Sequence, residues 1–223
     1  MGDDVKTAGF RSILVAGFFW AGAVLGVSSC GGGGGGSCGA AQTCGGDVLG
    51  TWKVTSSCFA AAPGAFADAD CPTLKVDVSG LTVSGTDVFK ADKTEETNAS
   101  YGGSMTLTYP GSCLSSTGAA PNCDLLTTNI AAELALPSND TPFKSATCKP
   151  SGGGCACTFS PGANTTTTTD TYSTSGAVLT ETNSKGEVTH STYCVDGDKM
   201  IQHLDGMAMG SEGLSGTITL MRQ

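Results

Sequence analysis

Eleven cysteines in a chain of 223 residues constrain its fold more than any other feature. Ten of them lie between residues 38 and 194: Cys38, Cys44, Cys58, Cys71, Cys113, Cys123, Cys148, Cys155, Cys157 and Cys194. Aromatic residues make up only 6% of the chain, so a core of this size gains from covalent cross-links. Irregularly spaced cysteines in even number read as a disulfide framework, which persists outside the reducing cytoplasm. Cys155-Ala156-Cys157 also has the look of a metal or redox motif, but structural disulfides are the preferred reading. Cys155 and Cys157 do not easily bond each other, because alternate strand positions lie far apart. Spacing does not fix the pairing. Nearest neighbours suggest Cys38–Cys44, Cys58–Cys71 and Cys113–Cys123, with Cys148 taking one of Cys155 or Cys157 and Cys194 the other.

The eleventh cysteine, Cys30, stands apart. Lys6 and Arg11 precede an apolar run from Ile13 to Val27 that is too short and too abruptly ended for a comfortable membrane span. A basic start, an apolar run and then small residues read as a secretory signal. The tetrapeptide Val27-Ser28-Ser29-Cys30 resembles the lipobox of bacterial lipoproteins. That resemblance implies cleavage before Cys30, lipid on its thiol and an acylated new N-terminus; two or three acyl chains make a stable anchor where one does not. Parity agrees, since lipid on Cys30 leaves ten cysteines to pair. Gly31 to Gly36 form a flexible spacer rather than a phosphate loop, because no Lys-Ser/Thr follows. Gly31 is not aspartate, which by the same resemblance favours the outer membrane over the inner.

Residues 1–29 are thus read as a removed signal, 30–46 as lipidated cysteine and tether, and 47–223 as one folded domain. Removing 29 residues from 223 leaves 194, and the removed piece carries two acidic and two basic residues, so the net charge of −9 is kept. A chain this acidic has no electrostatic footprint for nucleic acid or anionic headgroups.

Period-two alternation marks strands at 50–57, 73–79, 104–109 and 214–221. A C-terminal meander follows the same rule near 168–174, 177–183, 187–195 and 198–204, punctuated by Ser175-Gly176, Ser184-Lys185-Gly186 and Asp196-Gly197. Residues 124–135 space Leu125, Ile130 and Leu134 loosely like a helix face, ended by Pro137. The expected fold is mainly β: an antiparallel up-and-down barrel with a disulfide-clipped insertion at about 113–157 that holds one short helix. A β-sandwich is the runner-up.

Leu49-Gly50-Thr51-Trp52-Lys53-Val54 resembles the G-x-W opening strand of lipocalin-like barrels. In that family the tryptophan plugs the closed end and an arginine from near the chain end packs across it. The resemblance assigns these roles to Gly50, Trp52 and Arg222. It also implies a small apolar ligand in a cavity lined by Val54, Val76, Met105 and Leu107. The family's internal motif is not found, and the cysteine-rich insertion is foreign to it. The alternative is a structural or interaction module of the envelope with a filled barrel.

Catalytic chemistry finds little support. If Asp196-Gly197 are the central turn residues, His190 lies opposite His203, and two imidazoles on neighbouring strands are a candidate metal pair, with no third ligand evident unless Asp205 serves. An exposed cross-strand pair without a role is the preferred reading. Glu95-Glu96 reads as a solvated hairpin edge, and Asp196 and Asp198 as turn residues. No nucleophile–base set can be assembled, so no enzyme activity and no cofactor are expected.

Overall fold

A computed structural model of the chain describes residues 38, 43–61, 71–114, 121–136, 141–162, 165–205 and 214–223. Residues 1–37, with Cys30 and the glycine run, and Pro137 lie outside the described residues. The strands are β1 (Gly50–Ala61), β2 (Lys75–Asp77), β3 (Thr82–Phe89), β4 (Thr94–Gly102) and β5 (Met105–Tyr109). Two helices follow, α1 (Gly111–Leu114) and α2 (Cys123–Leu134). Then come β6 (Phe143–Ser151), β7 (Gly154–Pro161), β8 (Thr166–Ser175), β9 (Val178–Thr182), β10 (Val188–Asp196), β11 (Lys199–Asp205) and β12 (Leu214–Arg222).

Eight strands close a barrel in the order β1-β12-β11-β10-β9-β8-β4-β3. Each barrel strand pairs antiparallel with the next one in the chain, and β12 returns to β1, so the barrel is up-and-down. Closure removes the exposed edges that an open sheet of this size would carry. The alternation in the C-terminal half yields β8 to β12 almost where the sequence places them. Threonine and other β-branched residues suit these half-buried surfaces.

The remaining strands form a second sheet, β2-β5-β7-β6. This corrects two expectations. Residues 73–79 and 104–109 are not barrel strands; they supply β2 and β5 of this second lobe. The insertion at 113–157 is not mainly loop with a helix, because β6 and β7 build a hairpin inside it and β5 extends it upstream. Polar and small residues interrupt the apolar alternation of this hairpin and of β3, and of the β3–β4 pair only the hairpin edge at Glu95-Glu96 is legible in the sequence.

Helix α2 begins at Asn122, whose side chain accepts from the Leu125 amide, and Asp124 adds a negative charge to its first turn. Its buried face is Cys123, Leu126 and Ile130. Leu125, expected inside, is 44% exposed; a one-residue error in phase turns a helical side chain by about 100°. Among the described residues no helix is long and apolar enough to cross a membrane.

Two cores result. One lies in the second lobe and includes Leu107, Ile130, Cys155, Cys157 and Phe159, and it takes in Phe59 and Leu214 from the barrel. The other lies within the barrel and comprises Val48, Trp52, Phe89, Tyr172, Leu179, Tyr193, Met200 and Leu220.

All ten cysteines named above are bonded. The pairs are Cys38–Cys58, Cys44–Cys194, Cys71–Cys113, Cys123–Cys155 and Cys148–Cys157. Cys148–Cys157 fits the expected choice. The other nearest-neighbour pairings are wrong, because the partners are set by strand pairing rather than by separation along the chain. Cys194 instead reaches 150 residues back to Cys44. Cys155 and Cys157 share one buried face of β7 and bond different elements, α2 and β6.

Candidate functional site

The barrel's closed end is built from the two chain ends and a short N-terminal strap. Trp52 is fully buried, and its indole Nε1 donates to the Val48 carbonyl at 2.7 Å. The Arg222 guanidinium stacks 4.4 Å from the Trp52 ring centre. Its two terminal nitrogens donate to the carbonyls of Leu49 at 2.6 Å and Asp47 at 3.1 Å. Gly50 has φ of 123°, which favours glycine at the turn into β1, and a side chain there would press on the Arg222 guanidinium. Gly50, Trp52 and Arg222 therefore meet at one point.

The strap is tied down on its other side as well. The amides of Cys44 and Gly45 donate to the Tyr193 carbonyl, the Tyr193 hydroxyl donates to the Gly46 carbonyl at 3.0 Å, and the Cys44–Cys194 disulfide locks the crossing. Cys44 to Gly46, expected in the tether, are thus bonded to the barrel wall. Above them, Phe89 and Tyr172 meet edge to face with centroids 5.1 Å apart, and the Tyr172 hydroxyl donates to the Lys90 carbonyl. The result is an apolar, largely aromatic floor.

Immediately above the floor the interior changes character. Strand registers anchored on buried Trp52 and Leu220 decide which residues face inward. Asp87 pairs with Trp52 and Thr97, Glu95 with Phe89 and Asp170, and Glu181 with Tyr172. Four carboxyls therefore point into the barrel from β3, β4, β8 and β9. Apart from Arg222 and Lys93 at the floor, the latter with its ammonium 5.2 Å from the Tyr172 ring centre, no lysine, arginine or histidine occupies an inward-facing position among the described residues. The ion pair Lys90–Glu96, at 3.0 Å, lies on the outer face.

Glu95 is 5% exposed, which overturns its reading as part of a solvated hairpin edge; only Glu96 faces outward there. One Glu95 oxygen, Oε1, accepts from the Thr97 hydroxyl at 3.3 Å, while Oε2 has no hydrogen-bond donor among the described residues. The neighbouring polar group is the carboxyl of Glu181, and two carboxylates repel unless one holds a proton. Burial, then the charges on Glu181 and Asp87, holds the Glu95 carboxyl far above the usual range. Burial likewise raises Glu181, whose Oε1 accepts from Gln202 Nε2 at 3.4 Å, with Gln202 also donating to Ser191 at 3.0 Å. Asp87 and Asp170 are raised by burial, and the Tyr101 hydroxyl by burial and by Asp87.

Solvent still reaches this layer. Asp87, Thr97, Tyr101, Asp170 and Glu181 are only half-buried, and Thr166 and Thr168, inward-facing further along β8, are exposed. On the opposite side of the barrel, Phe59 and Leu214 face inward and merge into the second lobe's core. The barrel is thus closed at its floor, covered on one side of its far end and accessible on the β4–β8 side.

The histidines are not brought face to face. In the β10–β11 hairpin the central residues are Gly197 and Asp198, since Asp196 pairs with Lys199. Gly197 has φ of 60°, the conformation wanted at the first central position of a two-residue turn. The register moves by two, so His203 pairs with Thr192 and His190 with Thr180. His190 Nδ1 bonds Thr180 Oγ1 at 3.0 Å, and His203 Nδ1 bonds Thr217 Oγ1 at 3.3 Å, both on the outer face. Among the described residues no group of three or more histidine, cysteine, aspartate or glutamate side chains is placed to hold a metal.

The expected apolar cavity is also corrected. Val54 faces into the barrel, but Val76, Met105 and Leu107 lie in the second lobe and pack its core. Carboxylates occupy the layer where those side chains were expected. The alternation of Glu95, Thr97, Ala99 and Tyr101 was the available signal, but an acidic residue at a core position reads as surface until the barrel is closed around it.

Fold and site define a disulfide-stapled, closed up-and-down barrel with an acidic interior and an attached second lobe. Five disulfides belong to the chemistry of an oxidising, extracytoplasmic compartment. The chain matches no known family model, no curated protein and no solved structure.

Proposed function

We propose that this protein is a lipid-anchored component of the bacterial cell envelope whose barrel carries a small ligand between its apolar floor and its accessible side. In this reading lipid on Cys30 holds it to the membrane, by preference the outer membrane, and the glycine run lets the barrel stand clear of the headgroups. The observation that carries the ligand reading is the layer above the floor. There, inward-facing polar side chains remain partly accessible to solvent instead of interlocking as a packed core does. An interior with an apolar base and a few convergent polar groups is the usual make-up of a small-molecule site.

A filled barrel acting through its surface is the second reading. It draws support from the completeness of the floor, where Trp52, Leu179, Met200 and Leu220 are fully buried. Native mass spectrometry of the full chain, exported into an oxidising periplasm and extracted in detergent, separates the two. A discrete extra mass that is lost on denaturation is expected. A mass accounted for by protein and acyl chains alone decides for the filled module.

A further inference from the structure

We propose that the ligand is a small organic cation, an amine whose ammonium group is received by Glu95, Glu181 and Asp87 while its apolar part rests on the aromatic floor. This rests on the ligand-binding reading above and adds the chemical class. The first argument is charge. Asp87, Glu95, Asp170 and Glu181 converge from four strands, and the basic side chains at the floor below them, Arg222 and Lys93, lie against the Trp52 and Tyr172 rings. Buried carboxylates are normally paired with a cation or hydrogen-bonded throughout. Arg222 is already engaged with Trp52 and two backbone carbonyls.

The second argument is independent of the clustering. Glu95 is more than nine-tenths buried, its Oε2 accepts from no donor among the described residues, and its acidic neighbour Glu181 can bond it only through a shared proton. Such an atom strongly disfavours the empty site unless a proton or a donor is supplied. An ammonium supplies both a charge and three diverging N–H donors.

The third argument concerns which cation. A divalent metal needs a compact set of oxygen ligands at about 2.0–2.6 Å. No such grouping occurs among the described residues. A pair of carboxyls with a third beside it can still receive an ammonium, whose three N–H donors diverge. Each glutamate also sits beside an aromatic of the floor, because Glu95 pairs with Phe89 and Glu181 with Tyr172. A cation bound there lies next to ring faces and edges, which favours an amine carrying an aryl or alkyl body.

The proton balance follows. Without a ligand, the repulsion between Glu95 and Glu181 is relieved by a proton held between them. Binding of R–NH3+ places a positive charge against both carboxylates and expels that proton to solvent. One proton leaves the protein and one cation enters, so binding tightens as the pH rises and fails again once the amine loses its own proton.

The test is isothermal titration of the full chain in detergent with ammonium, propylamine, 2-phenylethylamine, 2-phenylethanol and calcium. Titrations run in two buffers of different ionisation enthalpy. The expected result is 2-phenylethylamine binding at least about tenfold tighter than the isosteric alcohol, with proton release. That preference is lost in Glu181→Gln and in Glu95→Gln. Near-UV circular dichroism from buried Trp52 shows whether each variant is folded, and Asp87→Asn stands in for one that is not. Equal binding of amine and alcohol, unchanged in the variants, overturns the cation inference and leaves the ligand reading standing. Saturable calcium binding that displaces the amine overturns it in favour of a metal. If nothing in the series binds, the amine class falls, and the native mass then decides the ligand reading separately.

Discussion

The Arg222 guanidinium lies 4.4 Å from the centre of the Trp52 ring and spans the carbonyls of Leu49 and Asp47. The last strand thereby fastens the first strand and the N-terminal strap in a single contact. Arg222→Ala removes a cation–π contact and two charge-assisted hydrogen bonds, and leaves two carbonyls short of a donor. The expected loss is about 2–4 kcal/mol in urea denaturation. Arg222→Lys should recover little of it, since a single ammonium does not reproduce the planar fork. A lysine variant as stable as the parent would show that charge alone matters at the floor.

The disulfides should not be equivalent. Cys44–Cys194 closes a stretch of 150 residues and Cys148–Cys157 one of 9. Restricting the unfolded chain predicts roughly 5 kcal/mol for the first and roughly 2.5 kcal/mol for the second. Paired Cys→Ser variants compared by denaturation under oxidising conditions give the order. Equal losses would mean that native packing at the strap, rather than chain entropy, sets the contribution.

The acidic layer makes stability depend on pH in a definite direction. Burial and the charges of Glu181 and Asp87 push Glu95 up to about 10, and burial pushes Glu181 up to about 7, from an ordinary value of 4.5. Asp87 from β3, Asp170 and Tyr172 from β8, Tyr101 from β4 and Gln202 from β11 face the same pair. Between the ordinary and the raised values the folded protein holds more protons than the unfolded chain. The contribution is therefore full below about pH 4.5 and is lost as pH rises through the raised values. Without ligand, the urea midpoint should fall from about pH 5 to about pH 9, and Glu181→Gln should flatten that slope. A midpoint that rises over this range would contradict the placement of these carboxyls.

Thr127 links the helix to the second sheet. Its hydroxyl donates to the Cys123 carbonyl at 2.9 Å and accepts from the Cys148 amide at 2.8 Å. Thr127→Val keeps the shape but orphans that amide, at an expected cost of about 1–3 kcal/mol. Hydrogen exchange at Cys148 should quicken in the variant while exchange in β10 and β11 stays unchanged. Equal acceleration everywhere would instead show that barrel and lobe unfold as one unit.

Cys30→Ser tests the anchor. The variant should partition into the aqueous phase after export, whereas the parent remains with detergent or membrane. Membrane retention by the serine variant would remove the lipid from the proposal.

Much of the fold could be read along the chain. The alternation of the last sixty or so residues gives the meander β8 to β12, because β8 to β11 pair with their neighbours across short turns and β12 then pairs with β11. The floor was legible only through the resemblance of Gly50, Trp52 and Arg222 to the ends of lipocalin-like barrels, and the structure brings the three together. The second lobe was not, since β2 and β5 look locally like any half-buried strand and nothing in Val76 or Leu107 says which sheet will receive them. The turn at Gly197–Asp198 shows how little separates right from wrong: a change in the turn's centre moves the register by two and parts the two histidines.

By itself, the sequence determined the elements whose pattern is local: antiparallel strands, a short helix and a cysteine set even in number once Cys30 is set aside. Only the tertiary structure decided which cysteines meet, which sheet each strand joins and which carboxylates are inside. The reason is physical. Periodicity records that one face of a strand differs from the other, but the polarity of an interior depends on closure. Glu95 has the same neighbours in the chain whether its face meets water or Glu181, and only the closing of eight strands around it makes it a buried acid in want of a cation.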